Sequence, residues 1–225
     1  MIIVEPKSFK EIEQMIKGCG RLLVLGCETC SAMCFAGGQR QVAEIASPIR
    51  MSKKMSQDQT EVLEDTVARQ CEIEFLDYVK DKVAACDAVL SLACGAGVQT
   101  MATMFPDRPV LPAVNTKFIG RATKRGEWTE MCVACGDCIL GRTAGICPVT
   151  RCAKGLLNGA CGGASGGKCE VSEDRPCAWQ EIYHALKRLN MLHYLKQKPQ
   201  VKDWPVHPSR VIREDLREVE TTRVD

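Results

Sequence analysis

Between Cys132 and Cys177 the chain places eight cysteines in forty-six residues, in the runs CVACGDC, ICPVTRC, NGACGG, GKCE and RPC. The same stretch is rich in glycine and poor in apolar periodicity, so it cannot bury enough apolar surface to offset the entropy of ordering its own backbone. Inorganic cross-links would have to order it, and thiolates at these spacings are suited to wrapping an inorganic cluster.

Cys132, Cys135 and Cys138 stand at i, i+3 and i+6 and can curl around one corner of a cubane. Cys147, followed by Pro148, is the kind of Cys-Pro pair that ends a bacterial ferredoxin run. Eight residues separate it from Cys138 where a ferredoxin has three, so the spacing leaves open which cluster Cys147 serves. Cys152, Cys161, Cys169 and Cys177 complete the set. Zinc is the main rival. A structural zinc site takes four closed ligands, often mixing Cys with His. Only His184, His193 and His207 exist, all beyond the cysteine run, so any zinc site here would be all-thiolate. The continuous CxxCxxC favours iron–sulfur over zinc, whose usual pattern is two separated CxxC knuckles.

The chain holds 225 residues and fifteen cysteines, a number that would suggest a disulfide scaffold in a short secreted protein. The opening MIIVEPKSFKEIEQM has no basic stretch, apolar core or small-residue cleavage site, which sets the expectation of a cytoplasmic, reducing compartment. There, closely spaced cysteines are metal ligands or redox groups rather than cross-links. No apolar run approaches the roughly 18 residues of a membrane span, so no membrane insertion is expected. A net charge of +2 gives no reason to expect nucleic acid as a partner. With 45% hydrophobic residues but only 5% aromatics, the core must be built mainly from aliphatic side chains.

The first half alternates apolar strands with helical patterns, which predicts an α/β fold with a Rossmann-like parallel sheet. Residues 8–17 read as a helix through Ile12, Met15 and Ile16; RLLVLGC at 21–27 as a buried strand; QVAEIAS as helical; and EVLEDTVARQC as a second strand, despite its acidic residues. A helix is expected over 72–85, then a strand at DAVLSLACG, a helix at GVQTMATMF and a last strand at RPVLPAVNT. In that order Cys27, Cys71 and Cys94 fall at carboxyl ends of strands, the edge where open α/β sheets bind ligands. The alternation stops near Gly120. This gives an α/β domain at 1–120, an irregular, cluster-ordered Cys-rich domain at 121–178, and at 179–225 a helix followed by an extended tail. The helix runs over 179–195, and the tail, charged and broken by prolines, reads as an extended arm, disordered or docking on a partner.

GCETCSAMC supplies Cys27, Cys30 and Cys34 on a strand-to-helix turn where three sulfurs can converge. Cys94 in ACGAG can close the site, with Cys71 in RQCE the alternative fourth ligand. A [4Fe-4S] site, a thioredoxin-like dithiol through Cys27 and Cys30, and a zinc site compete for this group. Cys34 is one thiol more than a dithiol needs. Setting aside Cys19, Cys71 and Cys86 leaves twelve thiols, enough for three four-thiolate cubanes, and two to three [4Fe-4S] clusters are expected. Cys19 and Cys86 lie in helix-end contexts and read as small buried thiols. The CGAG turn lacks a glycine at the third fingerprint position and an acidic residue about twenty residues on, so it does not read as a dinucleotide site. No catalytic constellation of nucleophile, base or paired carboxylates stands out.

The run CVACGDCILGRTAGICPVTRCAKGLLNGACGGASGGKCEV resembles the C-terminal domain family of methylenetetrahydrofolate reductase, which in anaerobic bacteria forms a small subunit beside the flavin-bearing reductase. GCETCSAMCFAGG, the RQCE turn and LSLACGAGVQTMA are similar to that subunit's N-terminal half, so the resemblance covers about residues 2–195. Zinc binding has been assigned in the family, and its acetogen members are understood as iron–sulfur electron-transfer subunits. The resemblance implies a non-catalytic redox subunit in one-carbon metabolism, with the flavin only in the partner that reduces methylene-tetrahydrofolate to methyl-tetrahydrofolate. It further implies an upstream electron donor: a ferredoxin, a hydrogenase-linked or heterodisulfide-reductase-like module, or a flavin donor. A structural zinc subunit of the same complex and an independent thiol-disulfide oxidoreductase are the competing classes.

Overall fold

A fully buried aliphatic strand, RLLVLGC, organises the first half of the chain. The computed structural model describes residues 1–198, 201–204, 210–211 and 215. The chain divides into two units, Met1–Met131 and Cys132–Asp225. In chain order the first carries β1 (Ile2–Pro6), α1 (Phe9–Met15), β2 (Arg21–Cys27), α2 (Cys30–Met33), α3 (Gln39–Met55), β3 (Glu61–Val67), α4 (Ile73–Leu76), α5 (Lys80–Ala84), β4 (Ala88–Ser91), α6 (Gly95–Met104), β5 (Val110–Pro112), β6 (Val114–Lys124) and β7 (Glu127–Cys132).

Strand β2 is buried from Leu22 to Cys27, as expected of a parallel strand covered on both faces. It pairs in parallel with β3, from Arg21↔Glu61 to Cys27↔Val67, and with β4, from Leu22↔Ala88 to Leu25↔Ser91. β5 pairs with β4 to complete the order β3-β2-β4-β5. Alternate residues feed two cores. Leu22, Val24, Leu90 and Leu92 pack with Ile12, Ile16, Val42, Ala46 and Ile49 from the α1 and α3 side. Leu23, Leu25 and Val89 pack with Leu76, Val79, Val83 and Met101 from α4 to α6. The acidic residues of β3 do not prevent a strand because β3 lies at the sheet edge, where Glu61 pairs with Arg21 at 2.6 Å, Glu64 with Arg50 at 2.5 Å and Asp65 with Lys82 at 2.5 Å.

The expected parallel α/β sheet is present, but a second, antiparallel sheet in the order β1-β6-β7 was not anticipated. MIIVEP forms β1, paired from Ile2↔Ile119 to Pro6↔Val114. The chain does not turn irregular at Gly120: β6 continues to Lys124 and β7 returns to Cys132, so the first unit runs to Met131 rather than to 120. Residues 72–85 are not one helix but α4, a 3-10 turn over Asp77–Val79, and α5.

The second unit is built differently. After a 3-10 turn at Leu140–Arg142 it carries α7 (Pro148–Arg151), β8 (Lys168–Cys169), β9 (Ser172–Pro176), α8 (Ala178–Arg188) and α9 (His193–Lys196). Its core is small: Trp179, Ile182 and Leu186 of α8 bury against Cys177, with Ile146, Cys152, Leu156 and Ala164 packed around them. The single helix expected over 179–195 is broken at Asn190, whose φ of 57° is left-handed, a conformation that asparagine tolerates better than most residues. Most of the tail expected to dock on a partner, 199–200, 205–209, 212–214 and 216–225, lies outside the described residues. Among the described residues no helix is long and apolar enough to cross a membrane.

Candidate functional site

In the first unit five thiols gather at the carboxyl edge of the parallel sheet. Cys27 ends β2, Cys30 opens α2 and Cys34 closes it, Cys71 lies four residues past β3, and Cys94 caps α6 three residues past β4. The strand order reverses on either side of β2, and the exits of β2 and β4 flank such a switch point. One backbone and one side-chain hydrogen bond shape the edge. The amide of Cys27 donates to the carbonyl of Gly37 at 2.7 Å, and the Ser31 hydroxyl donates to the carbonyl of Leu92 at 2.5 Å. A Cβ on Gly37 would lie 2.2 Å from Ser31 Oγ and 2.5 Å from the Leu92 carbonyl, so only glycine lets this loop close.

The exit of β3 is held by Gln70, which is fully buried. Its amide Nε2 donates to the carbonyls of Leu25 and Gly26 at 2.9 and 3.0 Å, and its Oε1 accepts from Ser91 Oγ at 2.6 Å. One side chain thus ties the β3 exit to both β2 and β4, and the next residue is Cys71. Cys71 is exposed, yet partial desolvation at the turn pushes its thiol up, and the neighbouring Cys94 and Cys27 push it further. The sequence reading set Cys71 aside as little patterned and kept it only as an alternative; the fold brings it to the same edge as Cys27 and Cys94. Cys34 is buried among Ile3, Val4, Ala36 and Val114, with its Sγ 3.6 Å from the carbonyl of Ile2. Burial raises its thiol, a backbone hydrogen bond from Val4 opposes that, and Cys30 adds to the rise. Cys86 is buried in one core and Cys19 packs against the other, both thiols raised chiefly by burial, which fits packing rather than chemistry.

In the second unit Cys132, Cys135 and Cys138 share one loop. Ala134 and Gly136, alternating with the cysteines, both have left-handed φ, 51° and 82°. The Ala134 amide donates to Cys132 Sγ at 3.3 Å. Lys202, with its side chain 2% exposed, donates to the Asp137 carbonyl of this loop and lies 5.1 Å over the Trp204 ring. Cys147 caps α7 at its start and Cys152 at its end. Cys152, Cys161, Cys169 and Cys177 line one cavity, together with Trp179 and Glu170. Trp179 anchors the wall by donating from Nε1 to the Leu156 carbonyl at 2.9 Å, while Arg151 ties α7 to Glu181 at 2.7 Å.

Among the described residues no three His, Cys, Asp or Glu side chains converge on a single-ion site. A cubane makes a different demand, since it spreads four thiolates over the corners of a larger body. Four thiols line one small cavity, three share a loop whose Ala134 amide donates to Cys132 Sγ, and five lie at one sheet edge, sets that could supply the thiolates of such a body. Cys152, Cys161, Cys169 and Cys177 would hold one cluster and Cys132, Cys135 and Cys138 part of another.

Residues 111–205 match the family described as "Methylene-tetrahydrofolate reductase C terminal", a segment that contains all eight cysteines from Cys132 to Cys177. No curated protein and no solved structure matches the chain.

Proposed function

We propose that this chain is the electron-transfer subunit of an anaerobic methylenetetrahydrofolate reductase, working in the cytoplasm beside a flavin-bearing catalytic partner. The similarity of residues 111–205 supports association with that reductase. The observation that carries the redox reading is the run of eight cysteines from Cys132 to Cys177 within that same segment, four of which line one small cavity. Bound [4Fe-4S] clusters would supply one-electron transfer there. The chain's own residues do the rest. Thiolates would anchor the clusters, backbone amides such as that of Ala134 would offset negative charge at sulfur, and Trp179 lines the four-cysteine cavity. The reading includes no catalytic residue in this chain: electrons from a ferredoxin-type or flavin donor would pass to the flavin of the partner, where methylene-tetrahydrofolate is reduced.

The test is made on anaerobically purified protein. Iron and acid-labile sulfide should be found in equal amounts, with a visible absorption that bleaches with dithionite. The chain alone should not reduce methylene-tetrahydrofolate. Added to the flavoprotein with a reduced viologen dye, it should raise turnover. Colourless, zinc-loaded protein would replace this reading with a structural subunit, metal-free reactive thiols with a dithiol oxidoreductase, and failure of the two chains to associate would end it.

A further inference from the structure

The polar clamp at the sheet edge has a consequence for ligand choice at the N-terminal site. Five thiols stand where a cubane takes four. Gln70 fixes the β3 exit by three hydrogen bonds to β2 and β4, all 3.0 Å or shorter, so the position of Cys71 is set by the same sheet that sets Cys27 and Cys94. Gly97 closes the gap from the other side. A Cβ there would lie 2.7 Å from Ala93 Cβ and 2.9 Å from Gln70 Cβ, so only glycine lets the first turn of α6, which Cys94 caps, pack onto Gln70. Cys71 is exposed and open to a ligand, directly after the clamped Gln70.

Cys34 has the opposite surroundings. It is 4% exposed, its sulfur is turned to the Ile2 carbonyl of β1, and it lies in the cluster of Ile3, Val4, Ala36 and Val114, against which Cys94 also packs. It works as packing between α2 and β1. Cys30, one turn earlier and only partly buried, is the remaining thiol of the CxxC pair.

We infer that Cys71 is a ligand of the N-terminal metal site, together with Cys27, Cys30 and Cys94, and that Cys34 is a packing thiol outside it. This rests on the reading that the cysteines of this chain hold iron–sulfur clusters. Cys71 reaches the site through the turn after the edge strand β3, so the ligands come from the exits of three adjacent strands rather than from one CxxCxxxC segment.

The experiment compares the wild-type chain, Cys71→Ser and Cys34→Ala, all purified without oxygen, by iron, zinc and sulfide per chain. In parallel, wild-type protein is alkylated before and after chelation and the modified cysteines are mapped by mass spectrometry. Cys71→Ser should lose one site's metal, about four irons for a cubane, while Cys34→Ala keeps the wild-type content. In the metal-loaded wild type Cys71 should resist alkylation and become reactive after chelation. Unchanged metal in Cys71→Ser, or equal alkylation of Cys71 with and without metal, overturns the assignment, and the alkylation arm decides it even if the serine variant misfolds. Zinc in place of iron would sink the electron-transfer reading but leave the Cys71 assignment to be read from the zinc count. A metal-free wild type would sink both.

Discussion

At the scale of single residues, the polar groups that shape the N-terminal site are hidden ones. Gln70 is fully buried at the exit of β3, a position tolerable only because its amide and carbonyl are both used. Gln70→Leu keeps the volume but strands the Ser91 hydroxyl and frees the β3 exit. It should cost about 1–3 kcal/mol, the range for leaving a buried polar group unsatisfied. A urea denaturation series on the metal-free chain checks this, and a midpoint equal to wild type would show the clamp to be dispensable. Sequence reading placed Cys27, Cys71 and Cys94 at strand ends because strand ends follow from apolar runs. It could not see Gln70, whose three partners lie 21 to 45 residues away.

At the scale of elements, local signals and tertiary packing disagree in informative places. Helix α3 runs through Pro48, which removes a backbone donor and would be read as a break. Val42, Ala46 and Ile49, buried on one face, hold the helix across it. In the second unit α8 carries most of the apolar core, and Trp179 both fills that core and binds the loop carbonyl of Leu156 beside the four-cysteine cavity. Trp179→Ala should therefore destabilise by about 3–5 kcal/mol, as large-to-small core changes of aromatics do. It should also lower metal content, because the wall shared by Cys152, Cys161, Cys169 and Cys177 is lost. Melting curves and metal per chain together test this; a variant that melted earlier yet kept full metal would separate the helix from the cavity.

At the scale of the whole molecule, the two units have different reasons to be folded. The first has an aliphatic core on each face of its parallel sheet, whereas the second has, among its described residues, one small cluster and long glycine-bearing loops, with left-handed φ at Gly136, Gly145, Gly155, Gly159, Gly162, Gly166 and Gly167. Chelation should therefore open residues 132–177 to limited proteolysis while Met1–Met131 survives as a resistant fragment; equal resistance of both units after metal removal would contradict this. The cysteine run, the parallel strands and the poverty of apolar periodicity beyond them were determined by the sequence itself, since periodicity and ligand spacing are local properties that a chain carries before it folds. The β1-β6-β7 sheet was decided only by tertiary structure, because its opening strand and its partner are separated by more than a hundred residues. So were the clamp on Cys71 and the gathering of Cys152, Cys161, Cys169 and Cys177 around one cavity. Each depends on side chains brought together by strand register and helix packing, and no spacing along the chain encodes such a meeting.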